Sequence, residues 1–233
     1  MNDEIHSETI TLDKRTYTVR VYHDQDVDSP LDNEHGVHIT YRKGSRETLG
    51  NTPLDTIEHG EIKERIDAFR NPSRRYKAAL NGEDIGEPLI GLPVYAYVHS
   101  GVALRTASFD CPWDSGQSGF IYVTPKTALS WMGGKRLGKA KLAKVYENLE
   151  AIVEEFSMWC NGECYYYSIE DEYGSDVESL GGFIGMDSVL ESARENVSLH
   201  HAHVMRKRRN EWRGALREAR ERRYWRERGV VTV

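Results

Sequence analysis

Residues Gly138–Trp159 read GKAKLAKVYENLEAIVEEFSMW, and this stretch decides how the fold is read. Leu142, Val145, Tyr146, Leu149, Ile152, Val153 and Phe156 recur three and four residues apart. At 3.6 residues per turn they share one face of a helix, with lysines and glutamates on the other. Leu149 is at the middle of that face and is expected in the core. Asn161-Gly162 follows, a pair suited to closing a helix in the left-handed conformation. A helix this long with one dry face needs a second layer to cover it.

The sequence on either side supplies strands. Downstream, Tyr165, Tyr167 and Ile169 alternate with polar neighbours, and a second strand is expected over Val177–Ile184. Upstream, Leu92–Val98, Val102–Ser108 and Gly119–Val123 are short β-branched or aromatic runs, the first two joined by His99-Ser100-Gly101 as a tight turn. Thr124-Pro125 reads as a helix start and Gly133-Gly134 as its stop. Towards the N-terminus, Thr9–Leu12 and Thr16–Tyr22 form a hairpin around Asp13-Lys14-Arg15, and Val37–Tyr41 is another strand. Ile62, Ile66 and Phe69 mark a helix closed by Asn71-Pro72, and a shorter one runs through Tyr76 and Leu80 to Asn81-Gly82. Ser188 with Glu191 has the spacing of a capping box opening a short helix through Glu195. No fixed-period repeat is present. Strands and helices do not alternate as βαβ units. The expected fold is therefore α+β: a mixed, mainly antiparallel sheet with the long helix packed on it and a C-terminal basic helical tail.

Charge divides the chain more sharply than composition does. Hydrophobic residues are 39% and charged residues 29% of the 233, the balance of a water-soluble globular protein. Net charge is −6, yet His200–Val233 holds eleven Arg or Lys against four Glu, so +7 sits there and −13 on residues 1–199. The expected organisation is an acidic α+β domain over 1–199 and a basic tail over 200–233, the body repelling phosphates and the tail attracting them. No apolar run approaches the roughly 20 residues of a membrane helix. The opening Met1-Asn2-Asp3-Glu4 is polar, and three cysteines are too few for a disulfide framework. The expected setting is a reducing cytoplasm without membrane contact.

The candidate sites each have a plain alternative. His99, Trp113, Asp114, Ser115 and Gln117 form the densest polar and aromatic cluster. Nucleophilic catalysis would need hydrogen-bond contact between nucleophile and base, and Asp-Ser-Gly lacks the strand–turn–helix elbow of serine hydrolases. No catalytic residue is assigned. The cluster is expected to be a loop flanking the strand Val102–Ser108 from the end opposite His99, with Trp113 packed rather than exposed because Pro112 and Gly116 restrict it. A binding role suits an aromatic ring beside amide and carboxylate groups.

Asp24, Asp26, Asp28 and Asp32 fall at positions 1, 3, 5 and 9 of a calcium-loop count, but Ser29 and His35 stand where the loop requires Gly and Glu. A solvated acidic loop is the expectation. Cys160 and Cys164 with His200, His201 and His203 are spaced too loosely for a structural zinc module, and Cys160 is expected as a small buried hydrophobe. No metal or cofactor is assigned. In the tail, Met205, Trp212, Leu216 and Ala219 make a thin apolar stripe among Arg206, Arg208, Arg209, Arg213, Arg217 and Arg220. A hydrated helix is one reading; phosphate pairing by arginine with aromatic stacking is the other.

Several blocks resemble a family of uncharacterised proteins carried by bacteriophages and mobile elements. They are Pro93–Gly101, Phe109–Gln117 with its Trp-Asp-Ser-Gly-Gln core, Gly119–Val123, Asn161–Tyr166 leading to Glu170, and Gly182–Gly185 with Asp187. Asp28-Ser29-Pro30 and Asp32-Asn33 are similar to its N-terminal signature, so the resemblance spans roughly residues 16–197. The tail after Asn196 departs from it. The resemblance implies an accessory protein of the host cytoplasm that binds a host protein or protein–nucleic acid complex, a counter-defence inhibitor being the expected kind. Two other functions are carried beside it. One is a small enzyme acting on nucleotides or nucleic acid through Trp113–Gln117; the other is a nucleic-acid-binding protein that uses the tail.

Overall fold

The computed structural model describes residues 3–33, 36–111 and 113–228, with Asn33 described by its backbone only. His35 and Pro112, which entered the readings of the acidic loop and of the Trp113 loop, lie outside the described residues. In chain order the elements are β1 (Glu4–Leu12), β2 (Arg15–His23), α1 (Pro30–Asn33), β3 (Val37–Arg42) and β4 (Thr52–Leu54). Then come α2 (Thr56–Arg70), α3 (Pro72–Leu80), β5 (Ile90–Val98), β6 (Val102–Arg105) and β7 (Ser115–Val123). The remainder is α4 (Pro125–Met132), α5 (Lys139–Cys160), β8 (Cys164–Glu170), β9 (Asp176–Ile184) and α6 (Met186–Glu227). The fold is α+β, with mainly antiparallel pairing and the long packed helix, but with two sheets instead of one.

The chain forms two compact units. One combines Met1–Asp24 with Tyr165–Val233, and the other is Gln25–Cys164. Charge and folding thus divide the chain at different places: residue 199 lies inside α6, which runs unbroken across it.

The first unit is a four-stranded sheet in the order β1-β2-β8-β9. Its hairpin turns at Asp13 and Lys14, both at positive φ (45° and 69°), the twist that a two-residue hairpin loop needs. Alternation buries Tyr17, Val19 and Val21 of β2 and Tyr165, Tyr167 and Ile169 of β8 against Val189, Ala193 and Val197 of α6. Arg194 grips Glu8 of β1 with two hydrogen bonds, 2.9 and 2.7 Å. Where the packing ends, His201 bridges the Tyr17 hydroxyl and Asp13, each at 3.3 Å. The buried positions fall four apart from Val189 to His201, and that apolar row carries the helix well past Glu195. Ser188 therefore lies within the first turns of α6 and the N-cap is Gly185, so the expected short capped helix is absent.

The second unit is a five-stranded sheet in the order β4-β3-β7-β5-β6, with only β3 and β4 parallel. One face carries α5, whose Val145, Leu149, Val153 and Phe156 pack on Ile39, Val94, Ile121 and Leu104. Leu149 is fully buried, as its place in the periodic stripe requires. The other face carries α2 through Ile62 and Ile66 against Phe120 and Tyr122. Strand β6 is an edge, and its backbone is satisfied by side chains. Leu104 N–H donates to Ser157 Oγ (2.9 Å), Val102 N–H donates to Asn161 Oδ1 (2.9 Å), and Asn161 Nδ2 donates to Val102 O. Covering an edge in this way removes a template for unwanted strand pairing.

Candidate functional site

A cleft forms in the second unit because β3 and β7 stop pairing. Their ladder runs through Val37–Val123, His38–Tyr122 and Ile39–Ile121. At the next step Phe120 N–H donates to the buried Thr40 Oγ1 at 2.8 Å. Gly119 makes this approach possible, since a Cβ there would lie 1.8 Å from Thr40 O. Beyond that point β3 turns its partnership to β4, pairing Thr40–Arg42 with Thr52–Leu54, while β7 stays on β5. The parting leaves a cleft of about 600 Å³, with Tyr41 and Arg42 on one wall and Gln117 and Ser118 on another. Leu49, Leu54 and Val98 line it with apolar surface, and Arg46, Glu47, Asp55 and His59 bring charge and hydrogen-bonding capacity.

The ionisable groups of the cleft are unequally committed. Asp55 caps α2, accepting from the N–H of Ile57 (2.8 Å) and Glu58 (2.9 Å), and Glu58 closes the capping box on Asp55 N–H at 2.8 Å. Among the described residues, the guanidinium groups of Arg42 and Arg46 have no hydrogen bond or ion pair. The His59 ring lies 4.7 Å from that of Phe120, and burial, helped by the nearby Arg42 charge, lowers its pKa below the usual imidazole range. Burial therefore favours the neutral ring.

The Trp113–Gln117 cluster meets this end of the sheet. Strand β7 begins at Ser115, so Ser115 and Gln117 are strand residues rather than loop residues. Val98 N–H donates to Asp114 O at 3.1 Å, which brings the start of β7 to the β5–β6 turn holding His99. The expectation that the two turns flank the intervening strand from opposite ends does not hold. Strand β6 stops at Arg105, whose guanidinium stacks over Phe109 at 3.9 Å. The His99 ring stacks on Tyr97 at 6.4 Å. Trp113 is 91% exposed, contrary to the packed position expected of it. Ser115 Oγ donates to Cys111 O and Asp114 O takes the Val98 N–H, so the neighbours of Trp113 are tied down while its ring is left in solvent. No Ser–His or Cys–His hydrogen bond joins these side chains among the described residues.

The other candidates separate. Asp24 accepts from Gly182 N–H at 2.9 Å within the first unit, and Asp32 lies on α1 of the second, with Asp26 and Asp28 before it. Among the described residues no three His, Cys, Asp or Glu side chains gather as metal ligands. Cys160 is half-buried at the end of α5, and burial pushes its thiol up to about 11. Burial thus favours the neutral thiol over the nucleophilic thiolate.

In α6, nothing from Ala202 to Arg228 is buried, so this part extends about 40 Å as exposed helix. Arg206, Arg209, Arg213, Arg217 and Arg220 follow one another at steps of three and four, within an arc of about 80° and over about 21 Å of axis. Arg208 lies off this row, and Glu211 and Glu218 are nearly opposite it. Among the described residues of this exposed part, the ion pairs involve other arginines, Arg222 with Glu218 (3.9 Å) and Arg223 with Glu227 (2.9 Å). Trp212 is 63% and Leu216 38% exposed, on a stripe beside the arginines. The spacing that marks this row was present in the sequence; the cleft had no local signal, because it depends on Thr40 and Gly119 meeting across 79 positions. No described helix is long and apolar enough to cross a membrane. Comparison with protein-family models, curated proteins and solved structures finds no match.

Proposed function

We propose that the chain is a non-enzymatic binding protein that docks on a phosphate-bearing partner, nucleic acid or a protein–nucleic acid complex, through the arginine row of α6. The observation that carries this reading is Arg206, Arg209, Arg213, Arg217 and Arg220 on one face of an exposed helix. Arginine forks match phosphate oxygens bidentately, and a row about 21 Å long can follow a strand of several phosphates. Trp212 beside the row offers a stacking surface to an unpaired base. The net negative charge of the rest of the chain repels a polyanion such as duplex DNA, so binding one depends on presenting the helix.

The phage and mobile-element resemblance adds the setting. An accessory protein acting in a host cytoplasm would find such a partner in a nucleic-acid-processing or defence complex, and blocking that complex would make it a counter-defence inhibitor. Fluorescence anisotropy with a labelled duplex tests the binding. Affinity should fall with salt at a log–log slope near −0.9 per phosphate contact, and the double variant Arg213→Gln/Arg217→Gln should bind more weakly. Absence of binding at about 50 mM salt, or equal binding by the variant, overturns the reading. Co-purification from host lysate with and without nuclease then separates a nucleic-acid partner from a protein one.

A further inference from the structure

The sheet-end cleft offers binding chemistry of its own, apart from the arginine row of α6. Its volume of about 600 Å³ suits a small organic molecule, since ligand pockets commonly span about 300–1,000 Å³. Its chemistry is divided along its walls. Arg42 and Arg46 provide two guanidinium groups whose donors are uncommitted among the described residues. Ser45 N–H donates to Arg42 O (3.0 Å) and Ser45 Oγ donates to Glu47 O (2.7 Å), which shapes the turn carrying Arg46. Tyr41 and His59 contribute rings, and Leu54 and Val98 an apolar surface. Gln117 spends its amide nitrogen on Gly119 O at 3.2 Å, which leaves Oε1 as an acceptor. Glu47 is a further acceptor on the wall.

We infer that the cleft binds a nucleoside monophosphate, with its phosphate on Arg42 and Arg46, its ring against Tyr41 and the apolar wall, and its base edge or hydroxyls at Gln117 and Glu47. Each part of that ligand answers a different lining chemistry. A phosphate takes two arginine forks, which inorganic anions share. Only a ring-bearing ligand also uses the aromatic and apolar surface. Only donor groups on base or sugar use the free acceptors. A neutral His59 can accept from such a group or donate to it, depending on its tautomer. Asp55, bound to the amides of α2, stands apart from this exchange.

Isothermal titration of the full chain with AMP, CMP, GMP and UMP, with adenosine and inorganic phosphate as partial ligands, tests the inference. At least one monophosphate should bind at one site per chain. Both partial ligands should bind about tenfold more weakly or worse. Arg42→Gln and Arg46→Gln should each weaken the monophosphate about tenfold, while Lys126→Gln on α4 should not. The arginines are exposed, so unchanged circular dichroism will show that these variants stay folded. The inference is overturned if no monophosphate binds at about 1 mM. It is also overturned if inorganic phosphate binds equally well, or if Arg42→Gln and Arg46→Gln leave affinity unchanged. Binding lost in Arg213→Gln/Arg217→Gln but kept in Arg42→Gln would place the nucleotide on α6 and likewise remove the cleft from consideration. Because the readout is set at the cleft, failure here leaves the duplex-binding experiment untouched, and the reverse holds.

Discussion

The two parts of α6 share one helix and have different reasons to exist. From Met186 to His201 a row four residues apart is buried on the β1-β2-β8-β9 sheet. From Ala202 onward the same helix has no sheet beneath it and its regular feature is arginine. Helical stability in proteins comes mainly from packing an apolar face, and the first part has that source. The second has a continuing helix behind it, two spaced ion pairs and good helix formers such as Ala215, Leu216 and Ala219. Its arginines repel one another along the row, a cost that a polyanion would reverse. One part answers to stability; the other is the part we propose for recognition.

Mutations can break this division, and the largest effect is expected at its packed end. Val197→Asp buries an unpaired charge and should remove several kcal/mol of stability, measured by urea unfolding; a variant as stable as the parent would mean that the packed face is misassigned. Truncation after Val204 should instead shift Tm by less than about 4 °C, since little apolar area is lost, while duplex binding disappears. An unfolded truncated chain would show that the distal helix belongs to the core.

Finer changes sharpen the comparison. Removing two contacts with Arg213→Gln/Arg217→Gln should reduce the log–log salt slope by about 1.8, read from anisotropy between low and moderate salt. At the packed end, the hydrogen bonds and charge of Arg194 hold the Glu8 carboxyl below the usual carboxylate range. The stability this clamp adds is present above that range and is lost as pH falls from it through the lowered value. Arg194→Met should therefore flatten the acid limb of the stability profile, and an unchanged limb would make the clamp inert. The smallest effect is expected for Leu216→Asp, within about 0.5 kcal/mol of the parent by thermal melting.

Local periodicity was legible wherever neighbours in sequence are neighbours in space. The α5 stripe around Leu149, the Thr124-Pro125 start and the Asn161-Gly162 stop are set by interactions within a few residues and stand where the pattern puts them, and the hairpin expected around Asp13-Lys14-Arg15 forms with Arg15 already in the strand. The arginine row belongs to the same class, because steps of three and four need only a helix to align them. Residues expected to form a loop, Ser115 and Gln117, became strand because β5 supplied a ladder for them. Trp113, two residues before that strand, stays 91% exposed, because the hydrogen bonds of Ser115 and Asp114 order the chain beside it without covering the ring.

The amino-acid sequence by itself determined the α+β class, the long packed helix and the separation of an acidic body from a basic end. These follow from periodicity and charge, which sum along the chain without reference to distant partners. Tertiary structure alone decided the two sheets, the insertion of residues 25–164 between adjacent strands β2 and β8, and the cleft where Thr40 meets Gly119 and Phe120. Strand pairing is a contest among distant segments that no local pattern resolves. The cleft formed where two of those pairings part.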